Sequence, residues 1–212
     1  VQFLQNTSTS IFAPFLPLEA DSKKVRTFWV GVLMATQSLS YIVASYLAGQ
    51  FLKKISRRHA LTTGSFLLIC QLFGMGCLHW SDDRTVFLTV GVVAQMCGGI
   101  GAGLNCTSSL AVLTSHYPDK REHIMSLFEA ATGLGFLFGP LIGSGLYSVG
   151  GYMLPFFGLS LVYLVLLPVI IHIGKVVQQV EAAALNAPLA PSPSETSLGK
   201  SDLSFKTYEI QV

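Results

Sequence analysis

Apolar residues in this chain come in runs of about twenty, and that length limits the fold more narrowly than anything else in the sequence. Roughly 20 apolar residues in a helix span the ~30 Å hydrocarbon layer of a bilayer. In lipid the backbone must satisfy its own hydrogen bonds, which a helix does within one segment. The runs fall at residues 28–51, 60–78, 86–114, 124–147 and 152–173. A shorter one at residues 1–17 reads as a sixth span whose first turns are missing. Only 11% of the residues are charged, against about 25% in soluble domains. The expected fold is therefore an all-α, multi-pass membrane protein of six transmembrane helices, the first truncated at its N-terminus.

The run from Ser126 to Gly143 carries a second signal. Ala131, Gly135, Gly139 and Gly143 recur at every fourth residue, a ridge of small side chains that lets another helix approach backbone to backbone in lipid. Pro140 follows the third of them. It has no N–H, so the carbonyl of Phe136 loses its partner and the helix can bend there.

Loop charge predicts the orientation. Lys53, Lys54, Arg57, Arg58, Lys120, Arg121 and Lys175 fall on one side; Lys23, Lys24, Arg26 and Arg84 fall on the other, beside Glu19, Asp21, Asp82 and Asp83. The more basic side is expected to be cytoplasmic, and both chain ends with it. Residues 1–175 make the bundle. Residues 176–212 read as a cytoplasmic tail, helical for two or three turns and then rich in Pro and Ser and disordered, or as the start of a linker between halves. A net charge of +2 divided among loops gives no reason to expect a nucleic-acid partner.

Glu129 is the one carboxylate well inside a run. A charge at membrane depth costs about 2.5–3.5 kcal/mol on insertion scales and marks a functional candidate. Two readings stand: an ion pair with Arg57 or Arg58 that fastens two helices, or proton or cation handling. Asn6, Gln37, Tyr41, Gln95 and Asn105 are neutral polar residues at similar depth. They are expected either to bond between helices or to line a wet cavity with Glu129. The five histidines show no metal-ligand spacing, the four cysteines no C-x-x-C, and no hydrolase or metalloprotease motif is present. Neither metal nor cofactor is expected, nor an enzyme.

These features together resemble the N-terminal six-helix half of a major facilitator superfamily transporter. Gly135, Gly139, Pro140 and Gly143 are similar to that superfamily's antiporter motif, with Ser126 and Ser144 where its usual form has glycine. Gly49, Arg57 and Arg58 match its signature between spans two and three, with Lys53 in place of aspartate and Ser56 in place of glycine. Residues 95–101 align with its fourth-span motif, where Gln95 replaces the leading arginine. Residues 13–20, together with residues 139–156, resemble the vesicular amine transporter branch, nearest its polyamine member.

The resemblance implies half of a twelve-span fold and proton-coupled antiport of a small cationic organic solute by alternating access. It implies a cavity faced by spans one, two, four and five. Gly135, Gly139, Pro140 and Gly143 would carry the rocking contact, with Gly49, Arg57 and Arg58 at a cytoplasmic latch. Expected partners are the bilayer, a small-molecule substrate, protons, and a second six-helix half, or a second copy if the chain is complete. A vesicle or vacuole and the plasma membrane are both open as its location. The alternative is a truncated, transport-incompetent protein that packs against itself or a full-length relative.

Overall fold

The computed structural model describes residues 1–51, 56–80, 83–116 and 120–186. Among these residues the chain forms α1 (Gln2–Ser22), α2 (Thr27–Phe51), α3 (Arg57–Cys77), α4 (Arg84–His116), α5 (Arg121–Gly150) and α6 (Met153–Asn186), with a 3-10 turn, Leu78–Trp80, after α3. Val1–Gln178 forms one compact unit. Lys53, Lys54 and the expected disordered tail at 187–212 lie outside the described residues.

Helices α2 to α6 are each long and apolar enough to cross a membrane. Helix α1 matches them in form but not in composition: it is 21 residues long and carries Gln, Asn, Ser and Thr through its first half. Much of that polarity is spent on its own backbone. Asn6 Nδ2, Thr7 Oγ1, Ser8 Oγ and Thr9 Oγ1 each donate to the carbonyl four residues earlier, at 2.9–3.0 Å. Such back-bonds let a polar helix sit inside a bundle without bare donors. Pro14 and Pro17 fall within α1 without ending it.

Glycine sets which helices touch. Helix α4 lies between α2 and α3 and uses a different glycine face for each. A Cβ on Gly103 would stand 2.9 Å from the Tyr41 carbonyl oxygen on α2, and one on Gly101 would stand 2.6 Å from the Gly64 carbonyl on α3. Helix α5 meets α1 in the same way, along the ridge read from the sequence. A Cβ on Gly135 would come within 2.6 Å of the Phe3 carbonyl oxygen; on Gly139 it would strike Ser10; on Gly143 it would press on Phe15 at 2.7 Å. Gly139 faces α1, while Pro140 is on the exposed side of α5, which continues as one helix from Arg121 to Gly150.

Aromatic stacking completes the attachment of α1. Phe12 stacks on Phe156 of α6 at 5.4 Å, and Phe15 on Tyr147 of α5 at 5.0 Å. At the other end of the bundle Arg57 Nη1 donates to Ser115 Oγ (2.6 Å) and to the Ala111 carbonyl (3.3 Å), joining the start of α3 to the end of α4. Arg58 lies against Gly174 of α6.

Close approach at Gly135 makes a specific prediction. Gly135→Val should wedge α5 from α1 and cost about 1–3 kcal/mol, read as a drop of several degrees in the melting temperature of the chain in nanodiscs. Gly133→Ala, whose Cβ meets open space, should leave the melting temperature unchanged or slightly raised.

Candidate functional site

Polar residues of α1, Asn6 and Thr9 with their back-bonds among them, line a cavity of about 500 Å³. Four helices wall it. Helix α1 contributes Gln2, Gln5, Asn6 and Thr9; α2 contributes Gln37, Ser38 and Tyr41; α4 contributes Gly99, Ala102 and Cys106; α5 contributes Phe128, Glu129, Thr132 and Phe136. Helical spacing accounts for the α5 set: 129, 132 and 136 share one face, beside the glycines that grip α1.

Of the lining residues, Glu129 alone carries a charge. Glu129 is solvent-exposed and shares the lining with amides, hydroxyls and the rings of Tyr41, Phe128 and Phe136. Two bonds fix the wall beside it. Gln2 Nε2 donates to Thr132 Oγ1 across α1 and α5 (3.4 Å), and Gln5 Nε2 donates to the Ala102 carbonyl across α1 and α4 (3.3 Å). The carbonyl oxygens of both glutamines are buried without a protein partner. A small polar or cationic solute, or water, would satisfy them.

Asn6, Gln37, Tyr41 and Glu129 thus share one chamber. Gln95 and Asn105 stand elsewhere. Both are fully buried on the face of α4 that meets α3. Gln71 Nε2 donates to Gln95 Oε1 at 2.7 Å, and Asn105 Nδ2 donates to Ser65 Oγ at 3.3 Å. They act as interhelical fasteners, which is the plainer of the two roles open to neutral polar residues at this depth. Gly49 lies exposed near the end of α2 with open space beside it. Arg57 and Arg58 engage α4 and α6 as described above. Phe128, Thr132, Phe136 and Cys106 were not among the expected site residues. The period of α5 counted from Glu129 was the signal for two of them, Thr132 and Phe136.

The profile of the Major Facilitator Superfamily matches residues 1–201. The chain belongs to that superfamily. Its fold is half of the superfamily's bundle, and it is an integral membrane protein of a family that moves small molecules. Among similar proteins, the mouse MFS-type transporter SLC18B1 is 27% identical over 164 residues, covering 77% of this chain and 36% of the relative. The mouse vesicular acetylcholine transporter is 25% identical over 198 residues, covering 88% and 35%. The staphyloferrin B transporter of Staphylococcus aureus is 24% identical over 157 residues, covering 71% and 36%. The chain spans little more than a third of the length of these relatives.

The α3–α4 amide pair gives a clean test of its role in this superfamily half. Gln71→Leu or Gln95→Leu alone strands a buried amide and should cost about 1–3 kcal/mol. Replacing both by leucine removes the orphan and should recover most of the loss. Thermal melts of the two single variants and the double variant supply the cycle.

Proposed function

We propose that this bundle is one half of a secondary transporter that exchanges a small cationic organic solute for protons by alternating access, with Glu129 as the group both cations compete for. The carrying observation is the placement of a single carboxylate on the wall of a chamber whose other lining residues are uncharged and include amides, hydroxyls and three aromatic rings. Carboxylate and ring faces together suit an amine or quaternary ammonium ion. Acetylcholine, which one relative's name includes, is such a cation. An amine or polyamine is the substrate class proposed here. A protonated Glu129 would release it, and an ionised one would hold it.

A transporter of this kind binds at the seam between two bundles, so a second six-helix unit is part of the proposal. Helices α2 and α5 flank the cavity with glycines that face open space, Gly31 and Gly49 on one and Gly133 and Gly145 on the other, as surfaces open to a partner do. The more basic end, with Arg57 and Lys120, is taken as cytoplasmic. Vesicular and plasma membranes are equally compatible with these features. Under a second reading, in which the open glycine faces of α2 and α5 meet a copy of the chain or a longer relative, the bundle packs without transporting.

Proteoliposomes holding the protein should accumulate a labelled amine when a pH gradient is imposed, and Glu129→Gln should reduce that uptake by at least tenfold while the variant still inserts and melts normally. Uptake unaffected by Glu129→Gln would remove Glu129 from coupling. Absence of uptake together with a crosslinked homodimer in membranes would favour the second reading.

A further inference from the structure

A second set of ionisable groups lies at the opposite end of the bundle from Arg57. Glu19 is thirteen residues along α1 from Asn6, about 20 Å at 1.5 Å per residue, and takes no part in the cavity. Its side chain is only 10% exposed, while that of His79, on the 3-10 turn after α3, is 49% exposed. His79 Nδ1 is 3.1 Å from Glu19 Oε1. Lys23, one turn further along α1, approaches the same oxygen at 3.7 Å and donates from Nζ to the His79 carbonyl at 3.2 Å.

A third element joins them. Gly151 ends α5 with a φ of +66°, a left-handed conformation that suits glycine, and the turn delivers Tyr152 onto the His79 ring at 6.1 Å and 23°. Tyr152 packs in turn on Phe156, which stacks on Phe12 of α1. Burial, with the Glu19 charge adding to it, pushes the Tyr152 hydroxyl well above the usual phenol range, so the ring stays neutral. The other ionisable groups described at this end, Asp21, Lys24 and Arg26 near α1 and α2 and Asp83 and Arg84 at the start of α4, are exposed. A nearly buried carboxylate and a solvent-accessible imidazole therefore meet where three elements converge.

We propose that Glu19 and His79 form a proton-binding latch, in which a proton taken by His79 from the water on this side completes an ion pair with Glu19 and holds α1 against the turn after α3 and the α5–α6 connection. Imidazole is the side chain that gains its charge between pH 8 and pH 5. Protonated His79 favours the closed contact, so the added stability is present at low pH and is lost as pH rises and the ring becomes neutral. Lys23 supplies a second contact to the same Glu19 oxygen. The latch depends on neither Glu129 nor any substrate.

Hydrogen–deuterium exchange of the chain in nanodiscs reads the latch directly. After correction for intrinsic rates, amides of residues 19–26 and 77–80 should be about fivefold better protected at pH 5.5 than at pH 7.5, the scale of a partly exposed ion pair. His79→Gln, which keeps a donor but cannot be charged, should give equal protection at both pH values, as should Glu19→Gln. His79→Arg, charged throughout, should be protected at both. Wild-type protection that does not change with pH, or a pH dependence that survives His79→Gln, would overturn the latch. The readout is backbone exchange, so failure of transport would not affect it.

Discussion

Everything in this bundle depends on helices approaching until backbone meets backbone. Lipid offers no hydrophobic gain for bringing two apolar helices together, so close packing of small residues has to supply the attraction. Helix α4 does this twice, with Gly99 and Gly103 against α2 and Gly98 and Gly101 against α3. Helix α5 does it once, against α1. Side chains then fill what the glycines leave: Gln71 lies over Gly98, Asn105 over Gly64 and Ser10 over Gly139. The glycines thus decide not only which helices touch but which polar side chains are trapped between them.

That trapping explains how so polar a set of residues lies inside the fold. Gln71 and Gln95 bond to each other, Asn105 bonds to Ser65, and the hydroxyls of α1 bond to its own carbonyls. Among the atoms left without a protein partner, the carbonyl oxygens of Gln2 and Gln5 belong to cavity-lining residues, while Gln95 Nε2, Asn105 Oδ1 and the hydroxyls of Ser45, Ser108, Tyr152 and Tyr163 belong to residues outside the cavity lining. A buried acceptor without a partner costs free energy, and in a carrier an incoming solute can meet that need. The amides facing α3 bond across to that helix through one of their two polar atoms, whereas the free oxygens of Gln2 and Gln5 belong to residues that line the cavity.

The sequence disclosed the helices through run length and the α1–α5 contact through the spacing of Gly135, Gly139 and Gly143. Periodicity within one helix was enough for both. It did not show which face of α4 carries Gln95 and Asn105, because α4 has glycines on two faces and polar residues on both. Only the pairing with α3 separates fasteners from lining. Helix α1 was legible as a shorter, partial span, but not the way its polarity is met, since its hydroxyls and the Asn6 amide bond to its own carbonyls and the Gln2 and Gln5 amides bond across helices. The Glu19–His79 contact was invisible for a different reason: sixty residues separate its partners, and no local pattern links a helix end to a 3-10 turn.

Packing is uneven in a way that connects the cavity to the latch. Helices α2, α3 and α4 adhere along their glycines, and α1 and α5 adhere along theirs, but the two groups meet across far sparser contact. The cavity lies on that seam, which is why it draws its walls from α1 and α5 on one side and from α2 and α4 on the other. Within the membrane the Gln5 bond to the Ala102 carbonyl is one of the links across it. At the α1 C-terminal end Glu19 and Lys23 cross from the α1–α5 group to the turn that follows α3. A contact at the end of a long seam acts on the whole of it, because α1 is a single helix from Gln2 to Ser22 and carries cavity residues at one end and the latch carboxylate at the other. Strengthening the latch therefore resists separation of the two groups at the same helix that lines the cavity, without any change in the lining itself.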